Sequence, residues 1–383
     1  MALKVSARGR VPPFIVMDVM KAASELEALG RDVIHLEVGQ PSTGLPFKAV
    51  EPVKRLIGES ALGYTVANGI DELRDRIVGH YRTAQGVQVE PESVFITTGS
   101  SAGFQLAFLA AFDAGDRIAV ASPGYPAYRH ILSSLGLEPV LLQVGPEERF
   151  QPTVEILEEL DGKIDGIIIA SPSNPTGTIL PKPEFERVIE YCRSNDIRVI
   201  SDEIYHGISY GMDVTTVAGV SRPEIVINSF SKYFSMTGWR IGWLVVPPDL
   251  RRSIECLAQN HYISPPTISQ WAAVYAFDCI DELQANVARY KTNREILLQS
   301  LTDIGFGRIA PSDGAFYLYS DISSQTNDSV SYCSELLDQT GVAMTPGVDF
   351  DPVNGRRSVR ISFAGSTENI EEAARRITQS QQR

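Results

Sequence analysis

The chain has 383 residues, of which 43% are hydrophobic and 21% charged, so it can bury a large core and divide into two domains. Its net charge of −13 and the absence of a Lys/Arg block argue against binding to nucleic acid or to an anionic membrane. No apolar run approaches the ~20 residues of a membrane span, and the first eight residues lack the apolar core of a signal peptide. The scattered cysteines and histidines predict no metal site, and we expect a cytoplasmic protein with reduced thiols.

The first part of the chain is predicted to be mostly helical. Helices are predicted over residues 18–29, 46–57 and 71–82. Asp71 suits the N-cap position of the third helix, because its carboxylate can accept from free N–H groups. A strand over residues 33–38 runs into a Gly-Gln-Pro turn at 39–41, where glycine lets the backbone approach a ligand closely.

From residue 93 to 246, strands alternate with helices. Strands are predicted at 93–98, 117–121, 138–144, 164–170, 197–201 and 224–227, and helices at 104–112, 128–135, 154–160 and 184–195. This alternation, with the very apolar run at 164–170, predicts a mostly parallel sheet that helices cover on both faces. Further helices are predicted at 249–259, 268–277, 281–301, 329–339 and 368–379, and strands at 315–319 and 359–363.

We expect a large domain over residues 48–285 and a smaller α+β domain. The smaller domain would combine the N-terminal segment 1–47 with the C-terminal residues 286–383. The boundary at 285 lies inside the long helical pattern that begins at 281.

Polar loops follow the predicted strands of the sheet, where ligands of parallel sheets bind. These loops are residues 99–103, 122–125, 171–177, 202–205 and 229–240. The first has small residues before a helix start, which suits an anion, but it is neither a Walker motif nor Gly-x-Gly-x-x-Gly and predicts no nucleotide site. Lys232 lies among aromatic residues, and a desolvated lysine is a nucleophile for carbonyl groups. Asp202 follows an apolar strand, where a carboxylate needs a cationic partner.

In this order and spacing, the motifs resemble the class I/II aminotransferases, which are pyridoxal-phosphate enzymes of fold type I. The resemblance covers nearly the whole chain and rests on residues 39–41, 99–103, 171–177, 202–205, 229–232, 240 and 359–362. It implies an α/β fold with a mostly parallel, seven-stranded type of sheet and a smaller α+β domain. It also implies a ping-pong transfer of an amino group from an L-amino acid to a 2-oxo acid, with 2-oxoglutarate as the expected acceptor.

The resemblance assigns roles around the cofactor ring. Lys232 should hold pyridoxal phosphate as an internal aldimine and move a proton between the substrate α-carbon and the cofactor's C4′ atom. Asp202 should face the pyridinium nitrogen, so that the ring can accept electrons. Tyr205 and Asn174 should contact the ring's 3-oxygen, and Tyr125 should stack on its face.

The resemblance also predicts which residues bind the cofactor phosphate and the substrate. The phosphate should contact the residues Ser100, Ser101, the N–H of Ala102, Ser229 and Arg240, with Ser231 as a further candidate. Tyr64 matches a tyrosine that reaches the phosphate from a partner subunit, so a homodimer with shared sites is implied. Arg360 should bind the substrate α-carboxylate through its bidentate fork, with help from Asn174 and Gly39.

The substrate side chain is not identified by these motifs. A lysine that some aspartate aminotransferases carry at the place of Ser101 is absent, the loop 260–263 has no arginine, and Tyr125 stands where those enzymes usually carry tryptophan. An aromatic or broad-range donor therefore remains open beside aspartate. A pyridoxal-phosphate-dependent C–S β-lyase is the alternative activity, and a non-catalytic ligand-sensing protein of the same fold is a distant one.

Overall fold

A computed structural model describes residues 3–219 and 224–381. Its helices are α1 Ile15–Ala28, α2 Phe47–Glu59, α3 Asp71–His80, α4 Ser100–Ala111, α5 Pro126–Leu135, α6 Val154–Glu158, α7 Lys182–Ser194, α8 Arg251–His261, α9 Thr267–Ala276, α10 Ile280–Asp303, α11 Ser329–Thr340 and α12 Thr367–Gln381. Its strands are β1 Ile34–His35, β2 Val94–Thr97, β3 Arg117–Ser122, β4 Glu138–Gln143, β5 Gly166–Ala170, β6 Arg198–Asp202, β7 Ile225–Ser229, β8 Gly242–Val245, β9 Tyr317–Asp321, β10 Val342–Ala343, β11 Thr345–Pro346 and β12 Ser358–Ser362.

The central sheet has seven strands in the order β2-β8-β7-β6-β5-β3-β4. Strand β8 is antiparallel to both of its neighbours, and the remaining pairs are parallel. Both faces are covered: the three consecutive isoleucines of β5, Ile167, Ile168 and Ile169, are each at most 2% exposed. A continuous apolar strand is typical of a sheet between two helical layers. The predicted α/β fold with a mostly parallel seven-stranded sheet is confirmed.

Two small sheets join residues from opposite ends of the sequence. Strand β1 pairs in parallel with β10, and β12 lies between β11 and β9 in an antiparallel sheet of three strands. Helix α10 runs unbroken through position 285. The domain boundaries at 47 and 285 stay a prediction, and the outer limits at 1 and 383 lie outside the described residues.

Local differences from the predicted elements have physical causes. The strand expected over 33–38 is reduced to Ile34–His35, because its partner β10 offers only two residues for pairing. Asp71 is the first residue of α3 and not its N-cap, which is Ile70. The Asp71 carboxylate instead forms an ion pair with Arg74, one turn further along. Helix α4 begins at Ser100, four residues before the predicted start, so its first turn lies at the carboxyl end of β2.

Candidate active site

A cavity of about 200 Å³ lies beyond the carboxyl ends of the central strands. The predicted site residues that line it are Gly39, Ser100, Ser101, Tyr125, Asn174, Asp202, Tyr205, Lys232, Arg240 and Arg360. They come from separate elements that the sheet brings together, as parallel topology predicts for strand ends. Their roles toward a cofactor or substrate stay predictions.

Lys232 follows β7 and reaches across the cavity to the N-terminal part of the chain. Its Nζ donates to the carbonyl of Gly39 at 2.5 Å. Burial, and to a smaller extent the positive charges of Arg360 and Arg240, lower the pKa of Lys232 to about 8, against the opposing effect of Asp202. A lysine with this pKa has a larger fraction of neutral amine near neutral pH than an exposed lysine, and the neutral amine is the nucleophile for carbonyl groups.

Asp202 ends β6 and is 5% exposed. Its carboxylate accepts from Tyr128 Oη and, at 3.1 Å, from the N–H of Ile204. Burial raises the pKa of Asp202 to about 6, while these two hydrogen bonds and Lys232 act in the opposite direction. The carboxylate is therefore ionised at neutral pH and suits a cationic partner such as a protonated ring nitrogen.

Arg360 lies in the middle of β12 and is 2% exposed. Its guanidinium carbon lies 4.5 Å from the ring centres of both Tyr317 and Phe350. Nη1 donates to Asn174 Oδ1 at 2.9 Å, and Nη2 donates to the carbonyl of Glu37. Nε is buried without a partner. A stacked arginine with spare donors at a cavity wall is suited to bind a carboxylate.

Tyr317 links three parts of the site. Its hydroxyl lies 2.8 Å from the hydroxyl of Tyr205, and burial raises the pKa of Tyr205 well above its ordinary value. The same Tyr317 hydroxyl packs directly on Gly39, where a Cβ would overlap it. Glycine at 39 is therefore a steric requirement and not only a turn preference.

The start of α4 has features that suit an anion. Gly99 precedes the helix with φ +83°, and a Cβ there would lie 2.5 Å from Nη2 of Arg240. Glycine thus permits both the backbone turn and the close approach of the guanidinium. The first N–H groups of α4 have no partner within the helix, and Ser100 and Ser101 add hydroxyl groups.

Three predicted residues do not line the cavity. Ser229 Oγ lies behind it, 3.0 Å from the carbonyl of Ile241 and 2.8 Å from Ser231 Oγ, and Ser231 is the serine at the cavity wall. Ala102 offers only the backbone N–H of the first turn of α4. Tyr64 is 83% exposed.

Two tyrosines in the Pro/Gly loop at the end of a predicted strand, Tyr125 and Tyr128, suggest a flat binding wall from the sequence, and both line the cavity. The hydrogen bond from Tyr128 to Asp202 was not predicted. The apolar residues Phe14, Val16, Met17 and Val38 also line the cavity. None of them was predicted as a site residue. Phe14, Val16 and Met17 are distant in sequence from the strands of the central sheet, and Val38, although next to Gly39, is an apolar residue at the end of a predicted strand.

This arrangement fits pyridoxal phosphate. Donors for a phosphate lie around Arg240 and the start of α4, the buried acid Asp202 suits the pyridinium nitrogen, and the Lys232 amine borders the same cavity. Gly99 supplies the space that keeps Arg240 at the helix start. Within residues 3–219 and 224–381, no group of three or more His, Cys, Asp or Glu residues could hold a metal ion. None of the described helices has the length and apolarity to cross a membrane.

Comparisons with known proteins cover almost the entire chain. A family model described as aminotransferase class I and II matches residues 31–377. A valine–pyruvate aminotransferase of Mycobacterium tuberculosis is 52% identical over 378 residues, which are 98% of this chain and 97% of the relative.

Solved structures show the same fold. The crystal structure of an aminotransferase from Mycobacterium tuberculosis superposes with a TM-score of 0.97 at 51% identity, over 99% of each chain. The structure of the aspartate aminotransferase of Thermus thermophilus with maleate superposes with a TM-score of 0.91 at 30% identity, over 99% of this chain and 100% of that one. With family model, relatives and fold in agreement, the chain belongs to the class I and II aminotransferases, enzymes that use pyridoxal phosphate to transfer amino groups between amino acids and 2-oxo acids.

Proposed function

We propose that this aminotransferase moves the amino group of an L-amino acid with a small apolar side chain, such as valine, to pyruvate. The observation that carries the proposal is the apolar wall formed by Phe14, Val16, Met17 and Val38. Such a wall favours a neutral side chain, because a carboxylate placed against it would lose its hydration without a partner.

The charged side chains of the cavity support the same choice. Among the described lining residues these are Asp202, Lys232, Arg240 and Arg360. We assign Arg240 to the phosphate, Lys232 to the cofactor aldehyde and Arg360 to the substrate α-carboxylate, which leaves no cation in this lining for a second carboxylate. Pyruvate has no second carboxylate, whereas 2-oxoglutarate does. The relative with 52% identity is named for valine and pyruvate, and 2-oxoglutarate stays as the alternative acceptor.

We assign each residue one task in the reaction. Pyridoxal phosphate, when bound, supplies an electron sink for the charge that develops at the substrate α-carbon. Lys232 Nζ would hold the cofactor and, once the substrate amine replaces it, take and return the α-proton as its lowered pKa permits. Asp202 would keep the ring nitrogen protonated, Tyr205 and Asn174 would contact the 3-oxygen, and Tyr125 would cover the ring.

The remaining residues would bind and orient. Arg360, held between Tyr317 and Phe350, would fix the α-carboxylate with Gly39 and Asn174 nearby. Ser100, Ser101, the N–H of Ala102 and Arg240 would hold the phosphate, with Ser231 in direct reach and Ser229 supporting it from behind.

We further propose a homodimer with shared sites, in the cytoplasm. Tyr64 and its neighbour Val66 are 83% and 62% exposed in the single chain, which leaves both side chains available to a second copy. The four cysteines, Cys192, Cys256, Cys279 and Cys333, are free thiols, which suits a reducing compartment.

A donor-by-acceptor screen tests the substrate proposal. The purified enzyme with pyridoxal phosphate is given valine, alanine, phenylalanine or aspartate, and the spectral half-reaction is followed for each. We expect kcat/KM for valine to exceed that for aspartate at least about tenfold, since an unpaired carboxylate costs more than ~1.4 kcal/mol. The pyridoxamine form should then return to the pyridoxal form faster with pyruvate as the amino acceptor than with 2-oxoglutarate. A preference for aspartate and 2-oxoglutarate would overturn the proposal, and pyruvate release from a cysteine conjugate without amino transfer would indicate the lyase.

A further inference from the structure

Helix α1 begins without a capping side chain of its own. Phe14 occupies its N-cap position, and its side chain cannot accept a hydrogen bond. The first N–H groups, of Ile15 and Val16, donate instead to the two carboxylate oxygens of Asp349, each at 3.2 Å. Asp349 is 333 positions from Val16 along the chain and is 3% exposed. A distant buried carboxylate therefore satisfies the start of this helix, and it also complements the positive end of the helix dipole.

The turn that carries Asp349 is anchored independently of α1. Arg129 of α5 donates to the carbonyl of Asp349 at 2.8 Å and to the carbonyl of Phe350 at 3.1 Å. The N–H of Gly124 donates to the same Phe350 carbonyl at 3.1 Å. The start of α1 is thus attached to a rigid point on the loop and helix that follow β3.

The same turn contacts the substrate-binding arginine. The ring of Phe350 lies 4.5 Å from the Arg360 guanidinium, next in sequence to the carboxylate that holds α1. Val16 is 4% exposed and packs in one apolar cluster with Phe350, with Phe14 against it. Phe14 also meets the ring of Tyr125 edge-on at 5.9 Å. One short turn therefore positions both the Arg360 side chain and the apolar wall at the start of α1.

We propose that Asp349 is a specificity-determining residue, which positions Phe14, Val16 and Met17 against the substrate side chain by holding the start of α1. This inference rests on the proposed preference for apolar donors. Asp349 itself does not line the cavity. It acts through α1, so it is a positioning residue and not a catalytic one.

The variant Asp349→Asn tests this role, because an amide keeps the volume but replaces one acceptor oxygen with an N–H donor. We expect amide hydrogen exchange in the peptide that contains Ile15 and Val16 to accelerate about tenfold, as loss of a hydrogen bond to a charged group predicts. We expect kcat/KM for valine to fall about tenfold, because a displaced wall loses its apolar contact with the two γ-methyl groups of valine. The value for alanine should fall less than threefold, since it presents only one methyl group to the wall. The cofactor absorbance should be retained.

Asp328→Ala is the control for the loss of a helix-capping carboxylate. Asp328 is the N-cap of α11, where one carboxylate oxygen accepts from the N–H groups of Val330 and Ser331, and it lies outside the cavity lining. Alanine removes this acceptor, which asparagine would keep, so the control should accelerate exchange at the start of α11 and leave the valine-to-alanine ratio unchanged. Asp349→Ser, which removes volume, replaces Asp349→Asn if the amide prevents folding, and the same change in ratio is expected.

An unchanged valine-to-alanine ratio in a folded Asp349 variant would overturn the inference, whatever the exchange rates. If the wild-type enzyme prefers aspartate, the proposed function fails separately. The role of Asp349 is then still decided by the ratio of kcat/KM between a large and a small donor that the enzyme accepts.

Discussion

The hydroxyl group of Tyr128 is placed to control the charge of Asp202. It donates to a carboxylate whose pKa is raised to about 6, chiefly by burial, and this hydrogen bond lowers that pKa. Asp202 is ionised only above its pKa, so any rise in the pKa narrows the pH range in which it can hold a cationic ring nitrogen.

We expect Tyr128→Phe to raise the pKa of Asp202 by about one unit, because a hydrogen bond to a charged group is worth ~1.5 kcal/mol or more. As the pH is lowered, Asp202 should therefore become protonated at a higher pH in the variant than in the wild type. The affinity of the apoenzyme for pyridoxal phosphate should begin to fall at that higher pH. Absorbance titrations of the cofactor across pH 5–8 measure this shift.

Tyr210→Phe serves as the control for this titration. Its hydroxyl donates to the carbonyl of Ala315 and does not touch Asp202. Because all other titrating groups are the same, the difference between the two variants reports Asp202. Identical pH profiles for Tyr128→Phe and the wild type would show that Tyr128 does not act on this carboxylate.

At the scale of elements, the segment after β1 connects Arg360 to Lys232. The carbonyl of Glu37 accepts from Arg360, and the carbonyl of Gly39 accepts from Lys232. Tyr317 of β9 packs on Gly39 and on the Arg360 guanidinium at once. A change in the backbone of this segment is therefore transmitted to both cationic side chains.

We expect Gly39→Ala to lower kcat/KM roughly a hundredfold, since displacement of positioning groups by about 1 Å has this effect. The added Cβ would overlap the Tyr317 hydroxyl and lie 2.6 Å from its Cζ, so the ring must move together with its contacts. Steady-state kinetics with the preferred donor measure the loss, which should include a higher KM.

Gly44→Ala is the control in the same segment, because its Cβ would meet nothing within 4 Å. It should retain wild-type kinetics. Near-normal activity of Gly39→Ala would mean that Tyr317 can move without disturbing Arg360.

The sequence predicted those site residues whose positions follow from the strand or turn next to them in the chain. Lys232, Asp202 and the start of α4 follow strands, and strand ends can be placed from apolar runs and turn residues. Tyr317 and Phe14 could not be placed, because their proximity to the cavity depends on the small sheets and on the docking of α1. The choice between Ser229 and Ser231 depends on which of two neighbouring side chains faces inward, which a loop pattern does not determine.

At the scale of the whole molecule, a mixing experiment tests the proposed sharing of active sites between two copies of the chain. Lys232→Ala should lose the visible cofactor absorbance and turnover. If Tyr64 acts on a second copy, Tyr64→Ala should bind the cofactor phosphate too weakly for turnover at a limiting concentration of pyridoxal phosphate, which is the condition of the assay. A hybrid of the two variants would contain one site with both residues intact.

Unfolding and refolding the two inactive variants together should restore about a quarter of wild-type activity, since half of randomly paired dimers are hybrids with one intact site each. Each variant refolded alone is the control. No recovery from the mixture, with light scattering showing a dimer, would exclude the shared site; a monomer would exclude the dimer itself.

The pairing of early and late strands has a consequence for synthesis on the ribosome. In the described sheets, β2 at the edge of the central sheet pairs only with β8, and β1 pairs only with β10. The first N–H groups of α1 likewise have no carboxylate acceptor until Asp349 has been translated. The segments translated first are thus among the last to obtain their partners, and a nascent chain that has not reached residue 342 exposes an open strand and an uncapped helix. Such segments are natural contacts for chaperones during translation, and the apolar wall of the cavity is completed only after residue 349 has emerged.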